Sequence, residues 1–176
     1  MSKHIVTFEL SVSSVNNALK ELERYSKRFM IASELFCQKL AALGVRTIDA
    51  YYSVAPGDAD KAHTTSYEKV EQDDSHVVFR ISLRGKDMLF VEFGSGVFYN
   101  ENLHGSPHPK GVELGMTIGD YPGLGQGQYD SWFYRDEGGE WHITNGQQAA
   151  CTIPTAMNEM RQNILNAAQE AWRQAG

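Results

Sequence analysis

The sequence predicts an α+β domain in which a long N-terminal helix and a C-terminal helix pack on one face of an antiparallel sheet. Three observations support this prediction. The first 43 residues lack Gly and Pro, apolar and polar residues alternate over residues 77–84, and residues 147–175 again lack Gly. The centre of the chain differs, because 12 of the 16 glycines lie between Gly94 and Gly146. Two regular regions are therefore expected to flank a long Gly-rich central loop.

The N-terminal region predicts a short strand followed by one long helix. Alternating apolar residues are typical of a half-buried strand over Val6–Leu10. Ser13 or Ser14 can then cap a helix by accepting a hydrogen bond from a free backbone N–H. Apolar residues recur every three or four positions up to Gly44, which has the position of a glycine that ends a helix. The predicted helix has about 30 residues, with a candidate bend at the polar gap of Ser26.

Strands of one antiparallel sheet are expected after this helix, because apolar and polar residues alternate along them. The first predicted strand is Ile48–Val54 and the clearest is Val77–Arg84. A weaker strand, Tyr67–Glu71, is expected to pair with the clearest one across the turn Asp73-Asp74-Ser75. The polar segment Pro56–Thr65 is expected to be a mobile loop.

The second half of the chain contains fewer regular patterns. Met88–Phe93 is apolar and fits either a short helix or a buried strand, a choice that periodicity does not decide. Trp132–Tyr134 and Glu140–Ile143 flank the sequence Asp136-Glu137-Gly138-Gly139 and predict a β-hairpin. The final helix is expected to begin near Pro154, since proline is tolerated in a first helical turn.

Length and charge limit the class of protein. The chain has 176 residues, which predicts a single domain over residues 1–176. Lys and Arg number 16 against 22 Asp and Glu, so the net charge of −6 lacks the basic footprint of a nucleic-acid binder. No apolar run approaches the ~20 residues that span a bilayer, and no secretory signal is recognisable. Two cysteines are too few for a disulfide framework, and a soluble intracellular domain is expected.

Two sequence features resemble ligand sites, but their context argues against both. His104 and His108 have the i, i+4 spacing of a metal pair on a helix. Gly105 and the prolines on either side of His108 make a helix there nearly impossible. The glycine run Gly123–Gly127 lacks the following helix that a phosphate loop requires. The sequence therefore predicts no metal site and no cofactor.

The potential nucleophiles and acids also favour structural roles. Cys151 has His142 nine residues upstream, but no third group stands out to orient a Cys–His pair. Cys37, on the long helix, has no His close in the sequence. Glu92 lies between apolar residues and is expected to be a hydrogen-bonded structural carboxylate rather than a catalytic one. A solvated basic helix face is predicted from Lys20, Arg24, Lys27 and Arg28. No catalytic residue is predicted, and the Gly-rich loop with its aromatic residues indicates an interaction surface.

The stretch Phe90-Val91-Glu92-Phe93-Gly94-Ser95-Gly96 resembles the signature of a family of small phage neck proteins. These proteins act at head–tail joining or tail completion in long-tailed phages and prophages. The resemblance continues through residues 106–111, 115–119, 132–134, 144–146 and 156–157. The chain departs from the family where Thr152-Ile153 replace a frequent aromatic–Met pair. The resemblance marks the following signature and interaction residues: Phe90, Val91, Glu92, Phe93, Gly94, Ser95, Gly96, Pro107, His108, Pro109, Trp132, Tyr134 and Gly146.

The resemblance implies a structural protein of the virion without catalytic activity. Its partners would be other copies of itself in a ring and the adjacent neck and tail proteins. DNA would pass nearby without specific binding, with which the acidic balance is compatible, and no membrane partner is expected. Such a protein would be located in the virion neck, and in the bacterial host cytoplasm during assembly.

The signature also predicts features of the backbone and of the central loop, and two alternative functions are open. Gly94 and Gly96 allow positive φ angles and close backbone approach, and Glu92 could accept hydrogen bonds from turn N–H groups. Residues 100–128 combine seven glycines and three prolines, so this loop is expected to be mobile in a monomer and ordered between subunits. One alternative function is a prophage-encoded hydrolase that uses His and acid residues of the central loop. Another is a generic intracellular binding module.

Overall fold

A computed structural model describes residues 5–57, 59–95, 106, 108–111, 113–114, 132–144 and 146–176. The described residues form helices and antiparallel strands, which confirms the α+β class. The elements are α1 (Val12–Ser53), β1 (His63–Gln72), β2 (Val77–Gly85), α2 (Met88–Phe93), β3 (Trp132–Arg135), β4 (Trp141–Thr144), α3 (Thr152–Gln162) and α4 (Ile164–Gln174). Most of the predicted loop at 100–128 lies outside the described residues.

Helix α1 is a continuous helix of 42 residues, about 63 Å long at 1.5 Å per residue. Its N-cap is Ser11, whose hydroxyl accepts a hydrogen bond of 3.3 Å from the N–H of Ser14. The cap therefore lies before the two serines predicted from the sequence, and the helix does not break at Ser26. Neither α1 nor any other helix in the described part of the chain combines the length and apolar composition needed to cross a membrane.

Two sequence predictions about the end of α1 are wrong. The helix continues through Gly44, and the predicted strand Ile48–Val54 is its last part. Gly44 allows other elements to approach closely, because a Cβ there would lie 2.7 Å from Ile81 Cδ1 and 3.0 Å from Met160 Sδ. The apolar residues read as a strand face include Ile48 and Tyr52, which are four positions apart and both buried on one helix face.

The strands form two sheets of two strands each, instead of the single sheet predicted. Strands β1 and β2 pair antiparallel, with Tyr67 opposite Ile81, which confirms the pairing expected across the Asp73 turn. Part of the predicted loop Pro56–Thr65 belongs to β1. Strands β3 and β4 form the predicted hairpin. Residues 5–9 have no regular structure, so the predicted strand Val6–Leu10 is wrong; a strand needs a partner for its backbone groups.

The predicted final helix consists of two helices that both pack against α1. Helix α3 begins at Thr152, with Pro154 in its first turn, and Asn163 separates it from α4. Near the end of α4, the Arg28 guanidinium lies 4.4 Å from the centre of the Trp172 ring. Arg28 also donates a hydrogen bond of 3.0 Å to the Trp172 carbonyl. The two helices therefore run back along α1 toward its N-terminal part.

The core of the described chain is small. Its central cluster is formed by Tyr52, Ala55 and Val91, with four partly buried apolar residues around it. Three of the buried residues of α1 are alanines: Ala18, Ala32 and Ala41. Larger apolar residues of α1 are exposed instead, among them Val12, Val15, Leu19, Leu22 and Phe29. The chain alone thus leaves a large amount of apolar surface in contact with water.

Candidate functional site

Glu92, in the last turn of α2, is the centre of a buried polar cluster. The side chain of Glu92 is only 3% exposed. One carboxylate oxygen, Oε1, accepts hydrogen bonds from His108 Nε2 at 2.9 Å and from the Ile153 N–H at 3.0 Å. The other, Oε2, accepts from the N–H and hydroxyl of Thr152 at 2.9 and 2.6 Å. All four contacts are donors, the arrangement that an ionised carboxylate requires in a buried site.

The same carboxylate caps helix α3. Cys151 occupies the N-cap position, but its φ of 48° is left-handed and its side chain makes no capping hydrogen bond. Glu92 supplies the missing acceptor and places a negative charge at the positive end of the helix dipole. The backbones are joined as well, since Ala150 N–H donates to the Val91 carbonyl at 2.8 Å. Helices α2 and α3 are therefore fixed to each other at this point.

His108 attaches the central part of the chain to this cluster. Its Nδ1 accepts a hydrogen bond of 3.0 Å from the N–H of Lys110. Because a backbone N–H can only donate, Nδ1 carries no hydrogen, and Nε2–H donates to Glu92. The ring also packs on Phe93, with 4.2 Å between ring centres. Both ring nitrogens are thus occupied, which leaves neither available as a general base or a metal ligand.

Ser106 adds a second attachment beside His108. Its hydroxyl donates to the Phe93 carbonyl at the end of α2 and accepts from the N–H of His108. Gly111 closes this short segment, because a Cβ there would lie 2.8 Å from Ser106 Cβ. The described residues between 106 and 111 are therefore held against the end of α2 by side-chain and backbone contacts.

Gly94 ends α2 and turns the chain toward residues 147–149. Its φ is +78°, which confirms the expected positive φ angle. A Cβ there would lie 2.8 Å from Ala149 N and 2.9 Å from the Gln147 carbonyl oxygen. The next residue, Ser95, donates its N–H to that carbonyl at 2.7 Å. Both the φ angle and the lack of space therefore require glycine.

Gln147 joins the other side of the cluster to the loop that follows α1. It is almost completely buried. Its amide nitrogen donates to the Pro56 carbonyl, and its amide oxygen accepts from the N–H of Ala59 at 3.2 Å. The sequence did not indicate the contacts of Gln147 or the two hydrogen bonds that Thr152 donates to Glu92. No local pattern marks them, because their partners lie between 60 and 91 positions away in the chain.

We define the clamp as Glu92, Gly94, Ser106, His108 and Thr152. The described signature residues Val91, Phe93 and Ser95 lie directly beside it. Phe90 and Pro109 are exposed near it. Tyr134 is on the separate hairpin, where its ring stacks on His142 at 5.3 Å, and Gly146 has a φ of 100°. Outside the described residues lie Gly96, Pro107, His104, the Gly123–Gly127 run and the side chain of Trp132.

The two thiols have the environment of structural cysteines. Burial raises the pKa of the Cys151 thiol, and the negative charge of Glu92 raises it further. Burial also raises the pKa of the Cys37 thiol. A higher pKa reduces the thiolate fraction at neutral pH and with it the nucleophilic reactivity. His142, considered from the sequence as a base for Cys151, is hydrogen-bonded to Asp136 at 2.9 Å.

Within the described ranges, one group of side chains has ligand atoms spaced for a metal ion. The ligand atoms of Asp136, Glu140 and His142 in the β3–β4 hairpin lie within 4.8 Å of one another. Asp136 already accepts hydrogen bonds from His142 and from the N–H of Glu140, both at 2.9 Å. These two contacts lower the pKa of the Asp136 carboxyl. The arrangement is accounted for by the hairpin turn itself.

The clamp has the chemistry of a structural site. Its carboxylate accepts four hydrogen bonds, its imidazole makes two, and neither is exposed to a substrate. No protein-family model, curated protein or solved structure matches this chain.

Proposed function

We propose that this protein is a structural component of the phage neck, where it joins or completes the head–tail connection as part of a homo-oligomeric ring. The observation that carries the proposal is the clamp. The segment that resembles the neck-protein signature contains one charged side chain, Glu92, and its carboxylate is used entirely inside the molecule. The described signature residues thus shape the subunit, and the charged group of this segment is buried.

The uncovered apolar surface supports an assembly function. Large apolar residues on α1, on the β3–β4 hairpin and on the C-terminal helices are exposed, while the core is small. Extensive exposed apolar surface is typical of proteins that bury it against partners. In this proposal the partners are other copies of the chain and the adjacent neck and tail proteins. The protein is located in the virion neck, and in the host cytoplasm during assembly.

The negative net charge of the chain is consistent with a ring in the phage neck through which DNA passes. The chain has a net charge of −6, so a ring of several copies has a strongly negative potential. DNA is also negatively charged and would pass such a ring without binding it. The proposal therefore includes no specific DNA site.

The alternative of a hydrolase has less support. It would use His and acid residues of the central loop, of which the structure describes His108 and the exposed Glu113; the acid in contact with His108 is Glu92 of α2. His108 and Glu92 are hydrogen-bonded to each other and buried, and His108 Nδ1 accepts from Lys110. A general base needs a free nitrogen lone pair within reach of a substrate, and His108 does not offer one.

The direct test is deletion of the gene from the phage or prophage that carries it. We expect electron microscopy of the lysate to show DNA-filled heads and separate tails, and expression of the intact chain to restore complete particles. Mass spectrometry of purified virions should detect the protein. Complete particles without the gene, together with absence of the protein from virions, would overturn the proposal.

A pair of variants separates the structural proposal from the hydrolase alternative. We expect His104→Asn combined with Cys151→Ser to restore particles as well as the unchanged chain does, because no chemistry is assigned to either residue. A hydrolase that uses the central loop predicts loss of function for the same combination. Circular dichroism of the purified variant controls for folding.

A further inference from the structure

Helix α1 extends beyond the helices that pack on it. The Tyr25 and Trp172 rings are 5.7 Å apart, and a Cβ at Gly176 would lie 3.5 Å from Arg28 Nε. The C-terminal helices therefore end beside Arg28. We define the arm as Val12–Arg28, a length of 17 residues or about 25 Å.

One side of the arm is apolar and exposed. Its apolar residues are separated by three, four and three positions, so their side chains form one stripe along the helix. The stripe consists of Val12, Val15, Leu19 and Leu22. Leu19 is 53% exposed and Leu22 is 51% exposed, so about half of the surface of each of these residues is in contact with water.

The β3–β4 hairpin has a second exposed apolar face. Phe133 pairs with Ile143, and Arg135 pairs with Trp141, so the three apolar residues lie on the same face of the hairpin. Phe133 is 68% exposed and Trp141 is 69% exposed. The opposite face carries the stacked rings of Tyr134 and His142. We define the hairpin face as Phe133, Trp141 and Ile143.

The two surfaces carry opposite charge. The arm has four basic residues, Lys20, Arg24, Lys27 and Arg28, and two acidic ones, so its net charge is 4 − 2 = +2 in a chain of net charge −6. Arg28 contacts Trp172 of its own chain, so the part of the arm beyond this contact has a net charge of 3 − 2 = +1. The hairpin residues 132–144 have one basic and three acidic residues, which gives 1 − 3 = −2. Opposite charges attract across an interface and orient the two partners during association.

The arm and the hairpin lie at opposite ends of α1. The turn of the hairpin is attached beside the end of β2, because Glu137 and Lys86 form an ion pair of 3.2 Å. That end of β2 lies next to the C-terminal part of α1, where His63, paired with Gly85, contacts Asp49 at 3.2 Å. About 20 helical residues, or roughly 30 Å, separate Asp49 from the arm. One chain therefore cannot bring its own arm and hairpin together.

We propose that the arm of one copy binds the hairpin face of the next copy. This inference rests on the proposed function, in which copies form a ring. A contact between two different surfaces of one chain is head-to-tail, and a repeated head-to-tail contact closes into a ring when the rotation permits. The sizes agree, because strands of four residues are about 13 Å long and fit along a 25 Å helix.

Disulfide cross-linking between differently labelled copies tests the contact. One preparation carries Leu19→Cys and the other Ile143→Cys; both positions are exposed, so both variants should fold. We expect oxidation to produce a cross-linked dimer in the mixture, at least about tenfold above either preparation alone. Asn17→Cys, on the other side of the arm, is the matched control, and the unchanged chain measures any background from Cys37 and Cys151.

Three outcomes would overturn the inference. Cross-links in the Leu19→Cys preparation alone would show that arm packs against arm. A lack of cross-links in the mixture, under conditions where light scattering shows assembled rings, would show that the hairpin is not the partner. A chain that stays monomeric at all concentrations would also overturn it.

Charge reversal provides an independent readout. Lys20→Glu with Lys27→Glu should weaken assembly, measured as a rise of about tenfold in the concentration at half-assembly. Glu140→Lys, which leaves the ion pair of Glu137 with Lys86 intact, should have the same effect, and the combination of all three changes should restore assembly. Arg84→Glu and Asp74→Lys, which reverse exposed charges elsewhere, should have little effect. Failure of the combined variant to restore assembly of folded protein would contradict the pairing.

Cross-linking together with detection of the protein in virions tests this inference and the proposed function separately. Cross-links in a protein that is absent from virions would support the arm–hairpin contact and exclude a neck function. Presence in virions without arm–hairpin cross-links would support the neck function and exclude this contact.

Discussion

Glu92 holds a negative charge in a place that water hardly reaches. Four hydrogen bonds from His108, Thr152 and Ile153 replace the lost hydration, and the N-terminus of α3 adds a favourable dipole. The sequence alone indicated a structural carboxylate beside apolar neighbours. It did not identify the donors, because they come from segments 16 and about 60 residues away and meet only in the folded chain.

Glu92→Gln should destabilise the protein by about 3–5 kcal/mol, since one carboxylate oxygen becomes an amide that faces two donors. Urea unfolding followed by circular dichroism measures this loss. Glu113→Gln is the control, because Glu113 is exposed and its replacement should change the free energy of unfolding by less than about 0.5 kcal/mol. A loss below 1 kcal/mol for Glu92→Gln would contradict the clamp.

Gly94→Ala should destabilise the protein by at least about 2 kcal/mol. The left-handed φ of +78° is unfavourable for a residue with a side chain, and the new Cβ would lie 2.8 Å from Ala149 N. Gly138→Ala is the matched control, because the nearest atom to its Cβ, Asp136 Oδ1, is 3.3 Å away and belongs to a side chain. Equal unfolding midpoints for the two variants would refute this account of Gly94.

At the level of elements, the sequence predicted helices and strands correctly where residues close together in the chain determine them. The β1–β2 pairing followed from period-two alternation and from a polar turn at Asp73, all within about 20 residues. The end of α1 was predicted wrongly because Gly44 looks like a helix stop in sequence. Its real reason, contact with Ile81 and Met160, involves residues 37 and 116 positions away. The group that caps α3, Glu92, was missed for the same reason, because it lies 60 positions before Thr152 in the chain.

The turn between β1 and β2 contains Asp73, a carboxyl group whose pKa predicts how the folding stability depends on pH. Asp73 accepts hydrogen bonds from the N–H and hydroxyl of Ser75 and the N–H of His76, which lower its pKa from 3.8 to about 2. A carboxyl with a lower pKa in the folded state stabilises that state above its unfolded pKa and loses the effect as the pH falls through the folded pKa. The stability difference between the unchanged chain and Asp73→Asn should therefore be constant above about pH 4.

That difference should then decrease between about pH 4 and pH 2. NMR titration of the Asp73 carboxyl should give a midpoint near 2, and the Ser75 and His76 amide signals should move with it. A midpoint near 3.8 would mean that the turn hydrogen bonds do not form in solution.

The described part of the molecule combines a small core with exposed apolar surfaces at both ends of one long helix. Its overall class was predictable, because long Gly-free segments and alternating strands are visible in the sequence. The separation of the strands into two sheets was not predictable, because no local sequence pattern determines whether two hairpins pair along an edge. The expectation that residues 100–128 become ordered on assembly stays a prediction, because most of them lie outside the described residues.

Limited proteolysis tests that expectation on the intact protein. Cleavage should concentrate within residues 100–128 in the free subunit, outside residues 106–111, which the clamp holds, because a segment rich in Gly and Pro does not offset its ordering entropy alone. The same sites should be protected in assembled rings. Mass spectrometry of the fragments identifies the sites, and cleavage of the exposed β1–β2 turn serves as the control in both samples. Protection of this segment in a demonstrated monomer would contradict the expectation.

The clamp also sets the order in which this subunit matures during synthesis. Ribosomes add about 5–20 residues per second, so the 60 positions between Glu92 and Thr152 take about 3–12 seconds to be made. Until then, the nascent chain has a carboxylate without its main donors and an α2 without its neighbour. A polypeptide released early, before residue 152, should therefore be degraded by host proteases. Only nearly finished polypeptides would reach the stage at which subunits meet.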